Sequence, residues 1–163
     1  MANIYGVIGG HPTFTITSSA DEGREFALGD TAMGSDGSCW VYVEADEALE
    51  QYDVVLIAQD FGVQAVDTTS TANAFGQSCG VVPVAFASGD YGWCQVAGVA
   101  TANVRTNASA TSQLNSTSVT GFLDDDSTTG AENIDGIVLF STATASGGYA
   151  VNLRFPVVGT TET

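Results

Sequence analysis

Few side chains in this 163-residue chain are of types that do chemistry, and their spacing narrows the choice further. The single histidine lies in Gly9-Gly10-His11-Pro12. A serine or cysteine nucleophile needs its base held within hydrogen-bonding reach by a third group, and a segment broken by Gly and Pro holds nothing that firmly. His11 therefore reads as a polar surface or interface residue. Cys39, Cys79 and Cys94 are odd in number, have no CxxC spacing and sit in apolar, strand-like runs. They read as reduced, buried thiols rather than a metal site. Asp124-Asp125-Asp126, followed by Glu132 and Asp135, offers the oxygen ligands that Ca²⁺ takes. Asp124 and Asp126 are its candidate calcium ligands. Gly130 falls one place late for an EF-hand loop, however, so a solvated acidic loop is the simpler reading. The Gly pairs lack the Lys and the strand-to-helix setting of a phosphate loop. No catalytic residue and no cofactor are expected, and the chain does not read as an enzyme.

The charge balance limits partners more than it limits chemistry. There is no Lys; Arg24, Arg105 and Arg154 stand against nineteen acidic side chains, for a formal net charge of -16. A polyanion is repelled by phosphate backbones, so nucleic acid is excluded as an expected partner. No apolar run approaches the roughly 20 residues of a membrane helix, so no membrane partner is expected either. The first ten residues lack a basic n-region, which predicts synthesis in the cytoplasm.

The elements that must position these residues are strands. Apolar residues make up 44% of the chain, and nineteen Gly stand beside abundant Thr and Ser; this is β composition. Strands are predicted over 38–43, 53–58, 62–67, 80–87, 91–97, 99–104, 136–144 and 149–158, with hairpins turning at Ser88-Gly89-Asp90 and Ser146-Gly147-Gly148. Pro83 places its strand at an edge or a bulge. Only Ala45 to Gln51 has helix-forming composition. Trp40 with Tyr42, and Tyr91 with Trp93, alternate onto one face of their strands, as aromatics filling a barrel core do; exposed pairs would instead suit a sugar.

The predicted organisation is an extended N-terminal arm over 1–20, a first β module over 21–104 and a second over 105–163, the two possibly one domain. A weak internal echo supports two related modules: Gly62, Gly80 and Tyr91 recur in order as Gly121, Gly136 and Tyr149. The arm is nearly uncharged and carries Ile4, Tyr5, Val7, Ile8 and Phe14, which would be costly to leave in water.

At Phe26-Ala27-Leu28-Gly29-Asp30, Gly37 to Val43, Ala48 to Val55 and Tyr91 to Gly98, the chain resembles the capsid decoration (cement) proteins of tailed bacteriophages. The likeness extends over most of 26–158, through Ile134-Asp135-Gly136-Ile137 and Phe155-Pro156-Val157-Val158. It implies a small all-β barrel or β-tulip fold, assembly as a homotrimer or sometimes a dimer, and attachment to the major capsid protein on the outer surface of the virion head. Under that reading Ile4, Tyr5, Val7, Ile8 and Phe14 are expected to contact the capsid, and Phe26, Trp40, Tyr42, Phe86 and Trp93 to include the oligomer interface. The rival expectation is a surface glycan-binding β module.

Overall fold

Eleven strands, β1 (Ile4–Tyr5), β2 (Thr31–Gly34), β3 (Cys39–Ala45), β4 (Val54–Ile57), β5 (Gly62–Ala65), β6 (Ser78–Val81), β7 (Tyr91–Val104), β8 (Leu114–Ser116), β9 (Leu123–Asp124), β10 (Glu132–Leu139) and β11 (Gly147–Thr161), make up the computed structural model. It describes residues 4–5, 26–126 and 129–161. The arm residues Val7, Ile8, His11 and Phe14 and the side chains of Ile4 and Tyr5 lie outside the described residues. The fold is all-β, as composition predicts.

The strands close into two rings that share β7. In the first ring β3 pairs parallel with β5, then β5 with β4, β4 with β6, β6 with β7 and β7 with β3, all antiparallel. In the second, β7 pairs parallel with β9, then β9 with β8, β8 with β10, β10 with β11 and β11 with β7, again all antiparallel. The connectivity of β3 to β7 is thus repeated by β7 to β11, strand for strand. The last strand of one ring serves as the first of the next. The echo follows the same order: Gly62 opens β5 and Gly121 lies two residues before β9, Gly80 and Gly136 lie within β6 and β10, and Tyr91 and Tyr149 within β7 and β11.

The long strand β7 changes rings at Gly98. Cys39 opposes Ala97 while Trp40 opposes Gln95, so β7 carries one extra residue there. Gly98 follows at φ 92°, with Ser38 Cα where a side chain would begin, 2.9 Å from an ideal Cβ. Only glycine fits both the conformation and the approach.

Burial explains which strands alternate and which do not. Val54-Val55-Leu56-Ile57 is apolar throughout because both faces of β4 are buried. Val54 and Leu56 pack with Leu114, Leu123, Leu139 and Val151 of the second ring. Val55 and Ile57 pack with Val43, Val63, Phe86 and Cys94 of the first. The two predicted modules therefore share a core. Each fully buried large aliphatic contributes roughly 1.5–3 kcal/mol, so the shared wall ties the rings together.

Several local expectations are corrected. Ala45 to Gln51 forms no helix: Ala45 ends β3, and Leu49 exchanges backbone hydrogen bonds with Phe86 at 2.9 and 3.0 Å. The predicted strand 80–87 instead runs Ser78–Val81 and stops before Pro83, which has no N–H to continue a ladder. The turn at Ser146-Gly147-Gly148 is no tight hairpin, since β10 already ends at Leu139 and β11 begins at Gly147.

The β10–β11 ladder contains the largest irregularity. Asp135 opposes Val157 and Ile137 opposes Leu153, so Arg154-Phe155-Pro156 bulge out opposite Gly136 alone. Gly136 has φ 87°, and an added Cβ would lie 3.0 Å from Arg154 O and 3.2 Å from Pro156 Cα. Both atoms are backbone and cannot yield cheaply. Gly136→Ala is expected to lower unfolding stability by about 1–3 kcal/mol, as read from urea unfolding; an unchanged midpoint would show that the bulge relaxes freely.

Candidate functional site

The aromatic residues singled out in the sequence sit in the monomer's interior. Tyr42 and Trp93 oppose each other across β3 and β7 with ring centroids 5.2 Å apart, and Phe26 lies 5.3 Å from each. Trp40, Tyr42 and Trp93 form one cluster with Ala32, covered partly by Phe26, Leu28 and Tyr91. They occupy the face of β3 and β7 opposite the first ring's core, beneath the segment that leads into β2. That segment is stitched on by hydrogen bonds from Gly29 N to Tyr42 O and from Tyr42 N to Asp30 O, both 2.9 Å. Trp40 Nε1–H donates to Ser38 Oγ at 2.7 Å, and Ser38 Oγ–H donates to Asp36 Oδ1 at 2.6 Å, so the indole's polar edge is satisfied. Phe86 belongs to the first ring's core.

Their assignment to an oligomer interface is therefore corrected. Trp40, Tyr42, Phe86 and Trp93 are at most 4% exposed in the single chain, and Phe26 is half-buried against them. Tyr42, Phe86 and Trp93 could not meet a second chain without opening the fold, while Phe26 keeps a partly exposed face and Trp40 shows only an edge to the surface. The same burial takes Trp40, Tyr42 and Trp93 out of any sugar-binding platform.

The cysteines are free; Cys79 and Cys94 are buried and Cys39 is half-buried. Burial pushes the Cys79 thiol up to about 12 and the Cys94 thiol higher still, so both are held as neutral thiols and are poor nucleophiles.

The acidic loop is organised by its own backbone. Asp124 Oδ1 accepts from Asp125 N at 2.9 Å, and Asp125 Oδ2 accepts from Ser109 N at 3.0 Å. Partial burial raises the Asp124 carboxyl above its ordinary range despite those backbone bonds. Among the described residues no group of three or more His, Cys, Asp or Glu is placed to hold a metal ion. A melting series at matched ionic strength is expected to show the same shift in CaCl₂ as in NaCl. A calcium-specific rise abolished by Asp126→Asn would restore Asp124 and Asp126 as ligands.

Sequence reasoning missed an apolar groove of about 440 Å³. It lies at the end of the first ring where Ile57 closes β4, Phe61 precedes β5 and Ser78 opens β6. Trp40 and Val96 wall one side, and Pro156-Val157 of the β11 bulge wall the other. Two side chains on its lining, Met33 and Phe155, are 60% and 64% exposed. A second concavity shares Ile57, Phe61 and Ser78 with the groove and is lined in turn by Phe75, which is 75% exposed.

Phe155 is held there against its own preference. Its φ is 50°, a left-handed conformation that costs a non-glycine residue roughly 1–2 kcal/mol. By strict alternation Leu153, Phe155 and Val157 would share a face. The bulge instead buries Leu153 and turns Phe155 outward. The legible signal was Gly136 in β10 and a proline inside a long strand, both marks of a bulge.

No family model and no curated protein matches this chain. The reading of the groove therefore rests on its own geometry: a rigid two-ring body that presents an apolar concavity with protruding apolar side chains. Such contiguous apolar exposure marks an interaction surface, and the lining holds few polar groups of the kind that orient a reacting substrate.

Proposed function

We propose that this chain is a structural virion protein that binds the outside of an assembled phage head and cements neighbouring major capsid proteins. The observation that carries the reading is the exposed apolar face formed by Met33, Phe75 and Phe155 on an otherwise acidic double barrel. It is supported by the resemblance across residues 26–158. A protein that binds only the assembled shell stabilises it by mass action. A homotrimer presenting three such contacts gains further from effective concentration, and unpaired carboxylates elsewhere keep neighbouring copies from aggregating.

The arm contributes a second contact in this reading. Ile4 and Tyr5 pair antiparallel with Gly34 and Met33 of β2, beside the groove. This described pairing lies on β2, outside both rings and their shared core. Deleting residues 1–16 is therefore expected to leave the melting temperature within a few degrees of the intact protein while lowering shell occupancy several-fold. Co-sedimentation of intact and truncated protein with purified heads of the encoding phage reads both outcomes. Failure of the intact protein to co-sediment sinks the virion reading; unfolding of the truncated protein makes the arm a core strand.

A further inference from the structure

The groove beside Trp40 is an apolar concavity of about 440 Å³, and its surroundings specify what enters it. We propose that it docks a basic protein segment that inserts a large apolar side chain between Trp40, Ile57 and Val157, with Met33 and Phe155 closing over it. The inference deepens the reading above by naming the docking surface and the partner's chemistry, and it rests on that reading only in placing the segment on the shell.

Three features select this occupant. The lining is almost wholly apolar, so it offers little to orient a polar small molecule, and its volume of about 440 Å³ suits one or two large side chains. Met33 and Phe155 stand exposed on the groove's lining, and the adjoining concavity adds exposed Phe75 among the polar side chains of Gln59, Asn73 and Gln77, a mixed apolar and polar surface consistent with a polypeptide. Charge then chooses the kind of polypeptide. Exposed Asp30 precedes Thr31 of the lining, and exposed Asp60 precedes Phe61. Exposed Asp36 is tied through Ser38 to the Trp40 wall. Arg154, beside Phe155, is the one cation next to these lining residues in sequence. On a chain of net charge -16, an acidic partner would be repelled and a basic one steered in.

Phe155 fits the role of a clamp. The bulge opposite Gly136 aims it outward in a left-handed conformation that a phenylalanine does not choose unaided. Strained backbone of this kind collects at ligand clamps. The contrast is Phe140, 53% exposed just beyond β10 of the second ring, outside the groove and its neighbouring concavities.

An NMR titration of the full chain with the amidated peptide Lys-Lys-Phe-Phe-Lys-Lys tests the proposal. The expected shifts centre on Thr31 to Met33, Cys39 to Val41, Ile57, Phe61, Val96 and Val157. Binding should weaken at least tenfold when the peptide's phenylalanines become serines or its lysines become glutamates. The double variant Met33→Gln/Phe155→Asn should also lose at least tenfold; Asn tolerates the left-handed conformation, and both sites are exposed, so the fold is retained. Phe140→Ser should bind as the parent does. Equal binding of the serine peptide would reduce the effect to charge alone and overturn the proposal. So would shifts elsewhere, or groove signals in the free protein that report contacts with its own arm or a second copy. Because no shell is present, failure here leaves the co-sedimentation result standing, and failure there leaves this one standing.

Discussion

Trp93→Ala is expected to lower the unfolding free energy of the single chain by about 3–5 kcal/mol, the usual cost of emptying a buried aromatic site. Trp93 is 2% exposed and packs on Tyr42 and Phe26 at centroid distances of 5.2 and 5.3 Å. The cavity cannot collapse easily, because β3 and β7 on one side and the segment from Phe26 to Asp30 on the other are fixed by backbone hydrogen bonds. Native domains retain only about 5–15 kcal/mol in total, so the variant should approach unfolding at moderate urea. The measurement also separates two roles. A core residue shifts the urea midpoint independently of protein concentration. An interface residue would leave the isolated chain's stability intact and change its oligomeric state, and that result would reverse the correction made above.

Lowering the pH from 7 to 5 is expected to stabilise the protein, opposite to the usual response of a carboxylate-rich domain. Asp53 is 4% exposed, and burial raises its carboxyl even though Glu50 N at 2.8 Å and Asn103 Nδ2 at 3.0 Å donate to it. Burial also raises Asp46, helped by the negative charges of Asp60, Glu44 and Glu47, and it raises Asp124. A carboxyl whose folded pKa lies above its unfolded value binds more protons in the folded state. Stability from such a group falls as pH rises through the two values and returns as pH falls towards roughly 4. Asp36 acts in the opposite sense, its carboxyl lowered by hydrogen bonds from the Ser38 side chain and backbone, but it is exposed and its contribution is lost only at lower pH.

Acidification also relieves the self-repulsion of a net charge of -16, so the two effects add. Salt should act similarly, because the reach of that repulsion shrinks to about 10 Å at 0.1 M and about 3 Å at 1 M. Each kcal/mol gained raises the melting temperature by roughly 2–4 °C in a chain of this size. Calorimetry at pH 7, 6 and 5, each at low and high NaCl, reads both effects. Asp53→Asn should flatten the pH slope. A melting temperature that drops on acidification, or that falls with NaCl, rules out this account.

Much of the architecture was legible along the chain because runs of β-branched, aromatic and other apolar residues bounded by Gly and Ser mark strands. The strands placed at 53–58, at 91–97 and 99–104, and at 136–144 overlap β4, the single long β7 and the end of β10. The Gly62/Gly121, Gly80/Gly136 and Tyr91/Tyr149 echo marks corresponding parts of the two rings but not their register, in which Val63 and Leu123 hold equivalent places. The absence of Lys and the isolation of His11 likewise set the charge and narrowed the chemistry before any fold was known.

What the sequence could not determine is which side of a strand faces what. Trp40, Tyr42 and Trp93 were recognised as one aromatic face, yet whether that face met a second chain or the chain's own Phe26 segment depended on tertiary packing alone. Ala45 to Gln51 has helical composition, and the pairing of Leu49 with Phe86, thirty-seven positions away, overrode it. The groove is the sharpest case. A single bulge opposite Gly136 reverses the facing of Phe155 relative to Leu153, and alternation read along the strand carries no trace of that reversal. Its walls come from six strands, β2, β3, β4, β6, β7 and β11, and from the loop before β5, brought together only in the folded chain, because nonlocal contacts are decided by how faces pack and not by the order in which residues are joined.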